Sequence, residues 1–178
     1  MKIYTRRGDG GESTLPGGER TGKDDIRMEC LGCLDELSAH LGVLIADMDD
    51  VRLREMLSTI QLALFAVGST LGEDVSDTIS QRLDNDVLAL ERAIDYLSAI
   101  VPPFNGFVLA GANRSSAQAH VCRTVCRRTE RRFVAVSQRT AAVETSMKYL
   151  NRLSDYLFLV ARVLEKGTDL RNDGVGRV

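Results

Sequence analysis

From Ile26 onward, apolar residues recur every three or four positions, and only short polar or glycine-bearing breaks interrupt the rhythm. Leu31, Leu34, Leu37, Leu41, Leu44, Ile45 and Met48 mark a first helix, with Asp24 or Asp25 as its N-cap. Leu53, Met56, Leu57, Ile60, Leu64 and Val67 mark a second over 51–71, and Leu83, Val87, Leu90, Ile94 and Leu97 a third over 79–100. Proline and glycine in "VPPFNGFVLAGANR" then stop the pattern. A fourth helix is expected from Ser115 or Ser116 to Ser137, and a fifth over 143–166, closed by Gly167 at its C′ position. Helices of about twenty residues, each about 30 Å long, pack best as a bundle when short connections join them. The fold class expected is therefore all-α, a five-helix bundle. One domain is expected over 1–178: a glycine-rich loop over 1–23, the bundle over 24–166 and a polar tail over 167–178. A few extended residues are expected over 2–5.

Charge in this chain is concentrated rather than abundant. The formal net charge is -2, with 44% hydrophobic and 27% charged residues, which lacks the basic excess of a nucleic-acid-binding domain. No apolar run reaches the roughly twenty residues of a membrane span, and no secretory signal pattern opens the chain. No membrane and no nucleic-acid partner is expected, and the expected compartment is cytoplasmic. Against that background "CRTVCRRTERR", residues 122–132, carries five arginines and one glutamate. Arg123, Arg127 and Arg131 follow i, i+4, i+8 spacing, and Arg128 and Arg132 form the neighbouring row. Val121, Val125, Phe133, Val134 and Val136 are expected to form the buried face, with Cys122, Cys126 and Ala135 as small fillers. Such a row is either a solvated face or an anion site, and Glu130 balances only part of its charge.

Two other helices bear on that choice. Asp35 lies on or beside the apolar stripe of the first helix, and a buried carboxylate needs a cationic partner, such as an arginine of the fourth. Asn151 and Asp155 stand one turn apart on the fifth helix, near Leu150, Leu153 and Phe158. Polar groups of three helices can thus meet on one side of the bundle or at a subunit seam. The loop "YTRRGDGGEST" has the composition of a phosphate cradle. Gly8, Gly10 and Gly11 allow close backbone approach, Arg6 and Arg7 add forked donors, Ser13 and Thr14 add hydroxyls, and Lys23 adds a point charge. The P-loop spacing GxxxxGK[ST] is absent. Cys30, Cys33, Cys122 and Cys126 fall inside helical patterns, so buried thiols are expected, with a tetrahedral zinc site as the competing reading. His40 and His120 are expected to be structural, and no Ser/His/Asp or Cys/His arrangement is visible.

The segments "KIYTRRGDGG", "GGERTGKDD", "LGCLDEL", "GFVLAG", "HVCRTVCRRTERR" and "YLNRLSDYLFLVAR" resemble, in order and spacing, the PduO-type ATP:cob(I)alamin adenosyltransferase family over residues 2–166. The resemblance implies a homotrimer with ATP between neighbouring subunits. It implies transfer of the 5′-deoxyadenosyl group of ATP to cob(I)alamin, giving adenosylcobalamin and triphosphate. It assigns the triphosphate to Thr5, Arg6, Arg7, Gly8, Asp9, Gly10, Gly11, Glu12, Ser13, Thr14 and Lys23. Arg127, Arg128, Thr129, Glu130, Arg131 and Asn151 are assigned to the nucleotide, and Arg123 to a pair with Asp35. Phe107 matches the aromatic that displaces the lower axial ligand of cobalamin. Mg2+ is implied as a companion of ATP with no protein ligand assigned, and an adenosylcobalamin-dependent enzyme as a receiver of the product. Two stretches depart from the family pattern: "TRRGDGG" stands for the common "TKTGDKG", and "LAGAN" (109–113) for "LPGG" followed by Ser or Thr. A carrier that binds nucleotide or cobalamin without turnover is the alternative on this fold. A helical nucleic-acid or scaffold protein using the arginine row is the alternative outside it.

Overall fold

Asp25 starts the bundle: its carboxylate accepts from the Arg27 amide at 2.8 Å and caps α1 (Ile26–Ala46). A computed structural model describes residues 3–72, 75–103, 106–137 and 140–165. Asp50 caps α2 (Val51–Ser69), Ser76 caps α3 (Asp77–Ile100), Asn113 caps α4 (Arg114–Val134), and α5 (Ala141–Glu165) completes the set. Each helix keeps within a turn of the bounds that periodicity sets. The cap of α4 differs from expectation. Asn113 Oδ1 accepts from the Ser116 amide at 2.8 Å, which moves both serines into the first turn. Gly167 and the tail lie outside the described residues.

Leu37, Leu41, Leu44, Leu57, Leu83, Leu90, Leu150 and Leu153 are buried in one core cluster. Helix α4 packs against both α1 and α5, α5 also against α3, and α1 against α2. The buried stripe of α4 is Ser116, Ala119, His120, Cys122, Val125, Cys126, Thr129 and Phe133, with Val136 buried just beyond it. Val125, Phe133, Val136, Cys122 and Cys126 thus lie inward as expected, whereas Val121 is 38% exposed, Val134 54% exposed, and Ala135 exposed as well. The small residues set how closely the helices meet, because they let α4 approach α5 until the Cys126 thiol donates to the Leu150 carbonyl at 3.2 Å.

The N-terminal segment is more ordered than a loop. β1 (Glu12–Thr14) and β2 (Arg20–Gly22) pair antiparallel, with Glu12 opposite Gly22 and Thr14 opposite Arg20. Gly17 (φ 92) and Gly18 (φ 99) supply the left-handed turn between them. Residues 3–5, expected to be extended, form no strand. The hairpin is fastened to α1 by Arg27, which pairs with Glu19 at 2.7 Å and Asp25 at 2.8 Å. The Thr21 hydroxyl donates to the same Asp25 at 2.8 Å. The Arg27 guanidinium therefore holds the Asp25 carboxyl well below the usual carboxylate range. Leu15 is buried, and a side chain at Gly72, just past α2, would overlap the Pro16 carbonyl. The hairpin thus sits on α1 and the end of α2.

Candidate functional site

The arginines of α4 divide into two rows with different surroundings. Arg128 pairs with Glu36 and Arg132 with Glu29 at 3.3 Å, both glutamates being on α1. These are exposed pairs, each worth about 0–1 kcal/mol. Arg127 and Arg131, also exposed, have no carboxylate partner among the described residues. The Arg128 pair uses one terminal nitrogen and leaves further donors, since a guanidinium carries five N–H groups.

Arg123 is half-buried, one turn before Arg127. Its Nε donates to His120 Nδ1 at 3.3 Å. Burial lowers its pKa, the nearby Arg127 adds to that, and no carboxylate among the described residues opposes them. A guanidinium so placed calls for an anion from outside its own chain. The expected pair with Asp35 does not form within the chain. Asp35 is exposed on α1, at the edge of an apolar depression of about 290 Å³ lined also by Pro16, Leu31, Leu34, Leu64 and Phe65.

Helix α5 presents a connected polar strip. Asn151 Nδ2 donates to Glu130 at 3.0 Å, and Asn151 Oδ1 accepts from Arg152 at 2.7 Å. Arg152 continues to Glu91 on α3 at 3.0 Å. Glu130 and Asn151 are therefore brought together, as the shared assignment of the two requires. Thr129 departs from its assignment. Its side chain is buried, and its hydroxyl donates to the Val125 carbonyl at 3.0 Å, with the Cys33 carbonyl at 3.4 Å. That hydroxyl serves the contact of α4 with α1 and faces no open space.

In the N-terminal segment, Lys23 Nζ donates to the Gly8 carbonyl at 2.9 Å, and the Lys23 amide to the Gly11 carbonyl at 2.8 Å. These bonds curl residues 8–11 back on the hairpin. Gly11 lies at φ 85, where a side chain is strained, whereas a Cβ at Gly10 would meet open space. The family's lysine would fit at position 10, so its loss reflects no steric need. Arg6 (φ 61) lies over the Tyr4 ring at 5.6 Å, a cation–π distance. Arg20, which sequence reasoning passed over, organises the segment. Its Nη2 donates to Glu12 at 2.8 Å and to the Arg7 carbonyl at 3.1 Å, and its Nη1 to Thr14 at 3.5 Å. The signal for it was the "LPGGER" turn, which places position 20 across from Thr14. Among the described residues no hydrogen bond or ion pair joins this segment to α4.

Phe107 is 97% exposed, and Leu109 beside it 56%. Gly106 (φ 101) and Gly111 (φ 116) bend the chain on either side of them. The four cysteines are free and buried, and burial pushes the thiols of Cys30 and Cys122 up to about 12. No group of three or more His, Cys, Asp or Glu among the described residues is placed to hold a metal ion. No helix among the described residues is long and apolar enough to cross a membrane.

Residues 3–164 match the family model described as Cobalamin adenosyltransferase. The chain is 42% identical over 172 residues to the corrinoid adenosyltransferase of Citrobacter freundii, covering 95% of this chain and 98% of that one. It is also 42% identical over 170 residues to the corrinoid adenosyltransferase MMAB of Mus musculus, covering 90% and 71%. Among solved structures, a variant PduO-type ATP:corrinoid adenosyltransferase from Lactobacillus reuteri, complexed with cobalamin and ATP, superposes with a TM-score of 0.82. Its sequence is 29% identical, and the match covers 96% of this chain and 100% of that chain. With the helix order, the arginine row and the glycine hairpin all in place, the chain belongs to the cobalamin adenosyltransferase family.

Proposed function

We infer that the chain transfers the 5′-deoxyadenosyl group of ATP to cob(I)alamin, giving adenosylcobalamin and triphosphate. The observation that carries this reading is the pair Arg127 and Arg131: two forked cations one turn apart, exposed, with no carboxylate partner among the described residues. Forked donors match phosphate oxygens in a way lysine does not. The electron pair on Co(I) forms the Co–C5′ bond while the C5′–O bond breaks, and triphosphate leaves with the bonding pair. The step needs no protein nucleophile, which suits a chain whose thiols are buried and protonated. What the protein must supply is orientation and stabilisation of the leaving polyanion. In this reading Arg127, Arg131 and the remaining donors of Arg128 hold phosphate oxygens, and Glu130 with Asn151 hold the nucleoside. Mg2+ arrives with ATP and neutralises part of the triphosphate charge.

The rest of the site comes from a neighbouring copy in a homotrimer. Among the described residues Asp35 and Arg123 each lack an ionic partner, and the hairpin has no hydrogen bond to α4. On the Asp35 side, Phe65 is 70% exposed and Leu62 60%, an apolar surface suited to contact between copies. Across that seam the Asp35 of one chain meets the Arg123 of the next, and the segment from Thr5 to Thr14, with Lys23, closes over triphosphate held by the neighbour's arginines. Phe107 faces cobalamin and takes the place of its lower axial ligand, leaving a four-coordinate Co(II) that is easier to reduce. The reading sets the reaction in the cytoplasm, with an adenosylcobalamin-dependent enzyme receiving the product.

Co-expressing Lys23→Ala with Arg127→Ala chains tests the shared site. Each variant alone is expected to be nearly inactive. In mixed oligomers about a quarter of the seams join an intact hairpin to an intact α4, so about a quarter of wild-type activity is expected. A mixture no more active than its parents would place the whole site within one chain.

A further inference from the structure

Beneath Arg123 lies a buried set of titratable groups that the transfer step does not use. His120 and Glu165 are 4% and 3% exposed. His120 Nδ1 receives the hydrogen bond from Arg123 Nε at 3.3 Å, and His120 Nε2 lies 3.7 Å from Glu165 Oε1, near but outside hydrogen-bond reach. Glu165 accepts from the Ser116 hydroxyl at 3.3 Å and pairs with Arg162. The Phe158 ring lies at a tilt, 6.1 Å from the imidazole.

We propose that His120 is a positioning residue for Arg123, acting as a neutral imidazole that accepts on Nδ1 and carries its proton on Nε2 toward Glu165. The inference rests on the reading above, in which Arg123 meets an anion from the neighbouring chain. Its logic is one of donors and acceptors. A guanidinium has no acceptor atom, so the Arg123 Nε–H must end on a lone pair, and an imidazole nitrogen offers one only when unprotonated. Occupying Nε in this way fixes the plane of the guanidinium and leaves its two terminal nitrogens for a carboxylate. Glu165, behind the ring, favours the tautomer with hydrogen on Nε2. Among the described residues the charged groups acting on His120 are Arg123 from α4, and Glu165 and Arg162 from α5. Burial lowers its affinity for a second proton, Arg123 and Arg162 act in the same direction, and Glu165 opposes them. A second proton would set two donors and two positive charges face to face and release Arg123.

The sign of the pH dependence follows. Because folding lowers the His120 pKa, the unfolded chain takes up the proton first as pH falls below the ordinary histidine value of about 6.5. Stability is whole above that range and declines below it, and the Arg123 placement is lost at the lower pH where the folded protein itself takes up the proton.

Two substitutions separate positioning from packing. His120→Leu keeps the bulk and removes the acceptor, whereas His120→Asn offers Oδ1 near the place of Nδ1 and cannot be protonated. With both variants shown to be folded by thermal unfolding, Leu is expected to lower kcat/KM about tenfold. Asn is expected to recover most of that loss and to abolish the fall in kcat/KM on the acid side. Equal losses in the two, or an acid limb that persists in the Asn variant, would overturn the proposal. Nitrogen NMR of the His120 ring in the wild-type protein gives a readout independent of turnover. An unprotonated Nδ1 at neutral pH supports the proposal, and an Nδ1–H tautomer or an imidazolium overturns it. A wild-type protein that shows the expected tautomer yet makes no adenosylcobalamin would sink the transferase reading while leaving the His120–Arg123 pairing in place.

Discussion

Arg127→Ala is expected to lower kcat/KM for ATP about 10- to 150-fold, the equivalent of one charge-assisted phosphate contact worth ~1.5–3 kcal/mol. The argument rests on what surrounds each arginine of α4. Arg132 already has Glu29 at 3.3 Å, so its charge is answered within the chain. Arg127 has no such partner among the described residues, and its charge adds to the burial that lowers the pKa of Arg123 a turn away. Bound triphosphate would relieve both groups at once. Arg132→Ala is the matched control. Removing an exposed pair costs about 0–1 kcal/mol of stability, and kcat/KM should stay within a few-fold of wild type. Steady-state kinetics on both variants decide the matter. Equal losses for Arg127→Ala and Arg132→Ala would mean that the arginine helix acts through bulk charge, with no defined phosphate contact.

Phe107→Ala is expected to separate the two substrates. The ring is 97% exposed, so its removal should change the unfolding midpoint very little. ATP affinity should likewise hold, because the phosphate contacts proposed above lie on α4 and the hairpin. Conversion starting from cob(II)alamin should slow by on the order of tenfold or more, an added barrier of about 1.4 kcal/mol. Conversion from cobalamin already reduced to Co(I) should suffer less, since displacement of the axial ligand serves the reduction. Calorimetry with ATP, together with rates from both oxidation states, would test this. A matched loss from both starting states would reduce Phe107 to a packing contact with the corrin.

The helices were legible because burying one face of a helix forces apolar residues into a three-and-four rhythm, and each capping side chain adds a local mark. Asp25 is such a mark, whereas the caps Asp50, Ser76 and Asn113 emerged only with the structure. The facing of α4 was legible at Val125, Phe133, Val136 and the two cysteines but missed at Val121, Val134 and Ala135, where hydrophobicity pointed inward while closeness decided the packing. Ser116, Ala119, Cys122 and Cys126 are small enough for α5 to settle against them, which leaves Val121 and Val134 outward. The hairpin gave no alternating apolar signal, for its strands are only three residues long and mostly polar.

The candidate site was legible as composition but not as wiring. Five arginines on one helix stand out in any reading, yet which of them are free depends on Glu29 and Glu36, seven residues apart on another helix. Asp35 was expected to need a partner on the assumption that it is buried, but it is exposed, and no cation pairs with it among the described residues. Thr129 sits among arginines in the chain but between helices in space. His120 could not be told from an ordinary core histidine until Arg123 and Glu165 were seen on either side of its ring.

The most direct test of the transferase reading is an anaerobic incubation of the purified protein with chemically reduced cobalamin, ATP and Mg2+. The visible spectrum would report adenosylcobalamin, and a separate assay the inorganic products. The account predicts adenosylcobalamin and triphosphate in equal amounts, since a single C5′–O bond is broken for each Co–C bond formed. Binding of both ligands without either product would contradict it, and would make the chain a carrier whose altered "TRRGDGG" and "LAGAN" segments no longer bring the two substrates into reaction.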